Sequence, residues 1–242
     1  MRKIGLALVG LMILGGCDTR DPILPGTRNP IFDTPRVRVL DVPIEPLPEP
    51  VKDSDVSCPY VQDAQNVIWD GDKKVFTGFA TSNSVGGTRT PVCAGKFVYA
   101  GLTTGELVKF NPKTRHVSWV ADIYRPNAMT GGSSVLDIVV PPVVRGPDVY
   151  VGGLGDAFCR LRADTGGRRW CAPVATSHPF IVTDTVIFVM GTDGYLYALN
   201  SVDGNAYWRV SVDRAAAPVY DGKIISVDRR RFDAATGNVI HD

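Results

Sequence analysis

The chain lacks most of the short signatures that mark enzymes. It has no HExxH metal pair, no GxSxG nucleophile elbow, no GxxxxGKS phosphate loop and no EF-hand pattern. Histidine is scarce, at three residues: His116 and His178 fall in turn-like contexts and His241 at the end of a repeat, with no sequence sign that they converge. Gly152, Gly153 and Gly155 follow a strand-like run but open no helix, so a dinucleotide-binding reading fails on context. The five cysteines include no CxxC pair of the zinc or redox type. A formal net charge of +1 supplies no cationic field, which argues against nucleic acid as a partner. The expectation is therefore a protein that is not an enzyme, with no catalytic residue, no cofactor and no metal.

Long apolar runs are lacking too, apart from one at the start. Arg2 and Lys3 precede an apolar stretch from Ile4 to Leu14, which closes on Gly15, Gly16 and Cys17. This is the charged, apolar and small-residue order of an export signal. It is shorter than the roughly 20 residues that a membrane-spanning helix needs. A cysteine directly behind two small residues and a leucine resembles the lipobox, so residues 1–17 are expected to be a lipoprotein signal peptide and Cys17 the lipidated residue. The chain would then be held to the membrane by its lipid (palmitate or a similar acyl chain) in the cell envelope, facing the periplasm. The outer membrane is the expected site, while Asp18 resembles a signal for retention at the inner membrane.

Proline is concentrated rather than absent. Eight prolines run from Pro22 to Pro50, within a stretch from Asp18 to residue 64 where apolar periodicity is weak. Such density removes backbone donors and favours extended conformations. Residues 18–64 thus read as an extended linker that spaces a domain from the membrane, with a docking strand, through Ile31 and Phe32 or Val37 to Leu40, as the alternative.

Residues 65–242 read as one domain, and from residue 91 onward the chain repeats itself. Units begin at Pro91, Pro142, Phe180 and Pro218, and align on a final aromatic. Trp119, Trp170 and Trp208 each stand four residues after a turn residue, namely Arg115, Gly166 and Gly204; His241 stands four after Gly237. Four residues before the turn residue come Asn111, Asn200 and Asp233, with Arg162 as the exception. Alternation such as Tyr195, Leu196, Tyr197, Ala198, Leu199 predicts strands, and the Gly and Asn positions predict hairpin turns. A small twisted sheet cannot bury both faces alone, so the units are expected to stack radially as an all-β propeller of about four clear blades, with a further strand pair around Val67 to Ala80. The three tryptophans are read as wedges between neighbouring blades. The last unit is degenerate, its middle hairpin reduced to Val227 to Phe232, as a capping repeat would be.

The stretch DGYLYALNSVDGNAYWRV, from Asp193 to Val210, resembles the repeat of pyrroloquinoline-quinone-type propellers, GxLYALD followed by TGxxxW. With the lipobox it resembles the BamB family of lipoproteins of the outer-membrane β-barrel assembly machine. TGGSSVLDIVVPPVV, from Thr130 to Val144, is similar to the family segment that carries the loop contacting the barrel-assembly protein. The resemblance implies a partner-binding loop at Ser134, Val135, Leu136, Asp137, Ile138 and Val139. Asp137 matches an acidic family position and Val135 and Ile138 apolar ones, whereas Ser134 stands in place of an arginine and Val139 in place of a second acidic residue. It also implies an eight-bladed ring, longer than this chain supplies. The units could close as a small propeller, stay an open arc, or complete a ring by self-association with a second copy.

In an oxidising compartment the four later cysteines are expected to be structural. Cys159 and Cys171 lie symmetrically about a turn and would face each other across a hairpin. Cys58 and Cys93 form the remaining pair. The function expected is a scaffold of outer-membrane protein assembly, with the periplasmic domains of the barrel-assembly protein as partner. The alternative is a structural lipoprotein of another envelope machine such as a secretion system; a quinone-dependent dehydrogenase is the third class, disfavoured by the absence of a recognisable acidic metal cluster.

Overall fold

A computed structural model of the protein describes residues 36–50, 58–79, 81, 84–85, 89–124 and 135–241. All of them lie in the second of the two units into which the chain divides, Pro35–Asp242. The signal segment, Cys17, Ile31, Phe32 and Ser134 lie outside the described residues.

The described residues form antiparallel strands and no helix, so no helix among them is long and apolar enough to cross a membrane. Five small sheets follow one another in chain order, and each is called a blade here. Blade I contains β1 (Val61–Gln62), β2 (Val67–Asp70) and β3 (Lys73–Thr77). Blade II contains β4 (Val92–Ala94), β5 (Phe97–Gly101), β6 (Glu106–Asn111) and β7 (His116–Asp122). Blade III contains β8 (Val143–Arg145), β9 (Asp148–Gly152), β10 (Phe158–Arg162) and β11 (Arg168–Ala172). Blade IV contains β12 (Ile181–Val182), β13 (Val186–Met190), β14 (Tyr195–Asn200) and β15 (Ala206–Ser211). Blade V contains β16 (Val219–Tyr220), β17 (Ile224–Val227) and β18 (Arg230–Asp233), and Phe232 also bridges to Val239. This is a partial β-propeller of five blades. The sequence count of about four clear units falls short by blade I, where a strand joins the foreseen pair, and whose β1 begins before residue 65.

The blades are built by local rules. Every strand neighbours the next in sequence, so tight turns set all the registers. A single register shift recurs between the last two strands of blades II, III and IV, at Lys109/Phe110, Arg160/Leu161 and Ala198/Leu199, and between β2 and β3 at Ile68/Trp69. In blades II, III and IV the turn between these strands takes a residue with positive φ, Arg115 (57°), Gly166 (73°) and Gly204 (76°), and Gly237 (74°) holds the corresponding place after β18. The carboxamide of Asn111 or Asn200 and the carboxylate of Asp233 hold these turns by accepting backbone N–H groups at 2.8 to 3.0 Å. In blade III, where Arg162 takes that place, Asp164 accepts from Thr165 N at 2.8 Å instead.

Both faces of the inner strands are buried, and that forms the core. Ile68 and Val75 pack on Val98, Val108 and Phe110 between blades I and II. Leu107 and Trp119 pack on Val149 and Leu161 between II and III. Phe158 and Val174 pack on Ile187 and Leu199 between III and IV, and Phe188 and Trp208 on Ile225 and Phe232 between IV and V. Removal of this apolar surface from water is the main force that stacks the blades.

Residues 36–50 do not stand free as a spacer. Leu40 N donates to Ala206 O and Ala206 N to Arg38 O, each at 2.9 Å, so the segment adds a short parallel strand to the outer edge of β15. Farther along, Ile44 N donates to Ala235 O at 2.9 Å, Ile44 is buried in the IV–V core, and Tyr220 Oη donates to Pro48 O at 2.6 Å. Val37 and Val39, two residues apart, turn toward the III–IV core and Ile44 enters the IV–V core, and proline occurs where no ladder donor is required.

Candidate functional site

Three blade junctions share one device. Trp119 Nε1 donates to Ala163 O of blade III at 3.2 Å, Trp170 Nε1 to Ser201 O of blade IV at 3.0 Å, and Trp208 Nε1 to Ala234 O of blade V at 3.1 Å. Each acceptor lies three residues before the positive-φ glycine of its turn, and each indole lies flat against that glycine. A Cβ built on Gly166, Gly204 or Gly237 would come within 2.7, 2.5 and 2.7 Å of a tryptophan ring carbon. The glycine thus meets two demands together, left-handed backbone and room for a ring.

Opposite the tryptophan across the sheet, blades II and III add a cation. Lys109 Nζ donates to the same Ala163 O at 2.6 Å, and Arg160 Nη1 to the same Ser201 O at 2.6 Å. Burial holds the Lys109 ammonium below its ordinary pKa, against the attraction of Asp164. Arg160 is in turn gripped by Asp148, which also binds Arg169. Burial alone would raise the Asp148 pKa, but the hydrogen bonds and charges of Arg160 and Arg169 prevail and hold it below the usual carboxylate range. The tryptophans are therefore consumed by blade packing, and no ligand has to be invoked for them.

The segment from Val135 to Val139 crosses the loop end of blades I to III. Asp137 and Ile138 are fully buried. Asp137 Oδ2 accepts from Arg89 Nη2 at 2.7 Å, Val85 N at 2.8 Å and Ser84 Oγ at 2.9 Å. Its backbone carbonyl accepts from Leu154 N at 2.9 Å, and Gly153 passes so close to that carbonyl that a Cβ would collide with it. Ile138 lies against Gly101 and donates its N–H to Leu102 O at 3.2 Å. This corrects the expectation for Asp137 and Ile138 as contact residues. Both point inward, because a carboxylate at this depth is stable only when charge-paired and Arg89 provides the charge. Val135, Leu136 and Val139 are half-buried.

What faces outward here could not be found from the repeat pattern. Phe79 is 83% exposed and Val85 59% exposed. Val85 is fixed by its N–H bond to Asp137, while the Phe79 carbonyl accepts from Asn66 Nδ2. Asn66 also binds Thr103, and Leu136 lies against Gly105 two residues farther on. A polar framework thus presents apolar side chains on loops beside blades I and II. Large exposed apolar residues held rigidly are a signal of interaction surfaces, but neither Phe79 nor Val85 belongs to a motif.

The structure contains disulfides between Cys159 and Cys171, register partners across β10 and β11, and between Cys58 and Cys93. The second ties the segment entering blade I to blade II. His116 and His241 lie on separate blades and His178 between blades III and IV, and among the described residues no group of three or more His, Cys, Asp and Glu side chains is placed to hold a metal ion.

Comparison with known proteins gives a consistent result. The family model described as outer membrane protein assembly factor BamB matches residues 60–210 and again 159–241. Among curated proteins, the chain is 23% identical over 122 residues to outer membrane protein assembly factor BamB of Kangiella koreensis, covering 50% of this chain and 31% of that protein. It is 24% identical over 139 residues to the BamB of Alkalilimnicola ehrlichii, covering 56% and 36%. The chain thus spans about a third of the length of the curated relatives it matches. Among solved structures it is similar to BamB from Moraxella catarrhalis, with a TM-score of 0.55, 16% identity, and 75% of this chain and 56% of that chain covered. The quinohemoprotein alcohol dehydrogenase ADHIIG of Pseudomonas putida shares the fold at a TM-score of 0.54 and 14% identity, over 75% of this chain and 40% of that chain.

Proposed function

Because the chain belongs to the family of the outer membrane protein assembly factor BamB, we propose that it is a non-enzymatic scaffold lipoprotein of outer-membrane β-barrel assembly. In this reading residues 1–17 are the export signal, Cys17 carries the lipid, and the stretch up to the strap tethers the propeller at the periplasmic face of the membrane. The partner is the periplasmic part of the barrel-assembly protein, and the loops of blades I to III bind it.

One observation carries the docking site: Phe79 and Val85 are exposed apolar side chains, Val85 on a backbone held by the buried Arg89–Asp137 pair and Phe79 on a backbone held by Asn66. A rigid loop loses little conformational freedom on binding, and apolar anchors in its centre supply most of the affinity. Asp137 then acts by holding the surface in shape and does not touch the partner.

The test is crosslinking of the lipidated protein in intact envelopes, followed by identification of what is attached. The barrel-assembly protein is expected with the native chain, and Phe79→Asp together with Val85→Asp should remove it while the thermal unfolding curve stays in place. Recovery of secretion or other envelope components instead would move the protein to a second reading, a structural lipoprotein of another machine.

A further inference from the structure

Blades I to IV each place one residue of the outer strand directly beyond the register shift: Lys74 in β3, Val117 in β7, Arg168 in β11 and Ala206 in β15. At Ala206 the N–H and the carbonyl both turn away from β14, and the strap takes them through Arg38 O and Leu40 N. Val37 and Val39 of the strap pack into the cleft between blades III and IV, and Ala206 is left with no exposure. One outer edge is therefore already occupied by an extended segment.

The other three edges have no such cover among the described residues, and two of them are guarded by charge. Lys74 is exposed and lies over the Trp69 ring at 5.6 Å. Arg168 is exposed and donates Nη2 to Asp122 O at 2.6 Å. A long cation on an edge strand keeps water there and opposes pairing with a further strand. β7 has no cation at this position: Val117 is 37% exposed, and Val120, on the same face of the sheet, is 51% exposed. In the place of Val120 the other blades have Thr77, Cys171 tied to Cys159, and Arg209 over the Tyr195 ring at 4.7 Å. β7 is also the longest of the described strands, with seven residues, and it contains no proline.

We propose that the outer edge of β7 is a docking site for an extended segment of another protein, apolar at alternate positions, which adds a strand there and covers Val117 and Val120. The chain's own strap gives the form of such an occupant. Its backbone pairs with the edge while Val37 and Val39 enter the cleft between two blades. A second copy of the chain cannot do the same through its own β7, whose Trp119 is already packed in the II–III junction. Recognition rests on backbone pairing and on a period of two, so it selects a pattern of residues and not one sequence. The contact does not depend on the loops that present Phe79 and Val85.

The test is amide hydrogen exchange of the full chain with a short synthetic peptide that alternates valine and threonine. With the peptide at about 1 mM, exchange across His116–Asp122 should slow about tenfold, while Ala206–Ser211, under the strap, stays unchanged. Val117→Lys, which copies the guard of blade I, should abolish the slowing with the thermal unfolding curve in place, and Val117→Thr should reduce it in part. The same peptide with methylated backbone amides should give no slowing, which separates strand pairing from apolar adhesion. Slowing confined to Ala206–Ser211 would mean that the peptide displaces the strap and would overturn the proposal. Protection of β7 that grows with the concentration of the chain alone would assign the edge to a second copy and overturn it as well. So would equal slowing by the methylated peptide or in Val117→Lys, or no slowing at all.

Discussion

The junction between blades I and II and the three that follow solve the same packing problem with different means. From II to V, every junction has an indole donating to a turn carbonyl and lying on a positive-φ glycine. At I–II the register places Phe76 where the tryptophan would be and Ile68 where Lys109 and Arg160 stand. Phe76 stacks on Phe110 at 5.0 Å but has no N–H for Pro112 O, the counterpart of Ala163 O. Arg115 takes the place of the glycine. A depression of about 270 Å³ lined by Tyr60, Cys93, Phe97, Pro112 and Lys113 lies beside this junction. There the chain adds a covalent tether, Cys58–Cys93, which is absent from the other junctions among the described residues. A polar lock positions a blade through geometry, whereas a disulfide positions it by restricting where it can go.

The largest expected effect that would sharpen this contrast is Trp208→Ala. It opens a cavity in a fully buried junction and leaves Ala234 O unpaired, for a loss of about 3–5 kcal/mol in denaturant unfolding. Phe76→Ala, at a half-buried site, should cost less than half of that; equal losses would break the comparison. Next in size is Cys93→Ser, with about 2–4 kcal/mol lost from a closed loop of this kind. Hydrogen exchange should rise across β1 to β3 while β9 to β15 keep their protection, and a uniform rise would show that the tether serves the whole domain.

Gly204→Ala tests the glycine and the ring together. Positive φ and a collision with Trp170 should cost about 2–3 kcal/mol, whereas Gly71→Ala, equally left-handed but with nothing within 4 Å of the added carbon, should cost about 1 kcal/mol. Acidification acts on the III–IV lock through Asp148. Its folded pKa is depressed, so its contribution is complete above the unfolded value of about 4 and is lost as pH falls from there through the folded value. Asp148→Asn should flatten the stability profile below about pH 4 and leave its shape near neutrality unchanged. The smallest effect is a gain: Phe76→Trp should offer an indole N–H to Pro112 O and stabilise blade I by up to about 1 kcal/mol. No gain in melting temperature would mean that Pro112 O cannot serve as the acceptor of a lock.

Much of this architecture was legible in residue order. The spacing from Gly166 to Trp170 and from Gly204 to Trp208 marked the turns and the wedges, because a hairpin register is settled within a few residues. Blade I was read only in part because its turn is the two-residue Gly71-Asp72 connection and its aromatic is a phenylalanine, so it does not align with the other units. The loop was located from a resemblance, yet the roles within it were misjudged. Asp137 looks like a surface carboxylate until Arg89, 48 residues earlier, is brought to it. The strap entered the sequence reading only as the alternative, a docking strand through Val37 to Leu40, because proline content describes an extended chain equally well whether it is solvated or paired to an edge.

The sequence by itself determined the all-β class, the repeat and the place of each tryptophan, since all three follow from period-two patterning and turn chemistry that act over short stretches of chain. Only the tertiary structure decided that residues 36–50 pack on blades IV and V and that Asp137 is an internal brace. Those outcomes depend on which distant groups meet, and burial makes that choice after the strands have formed.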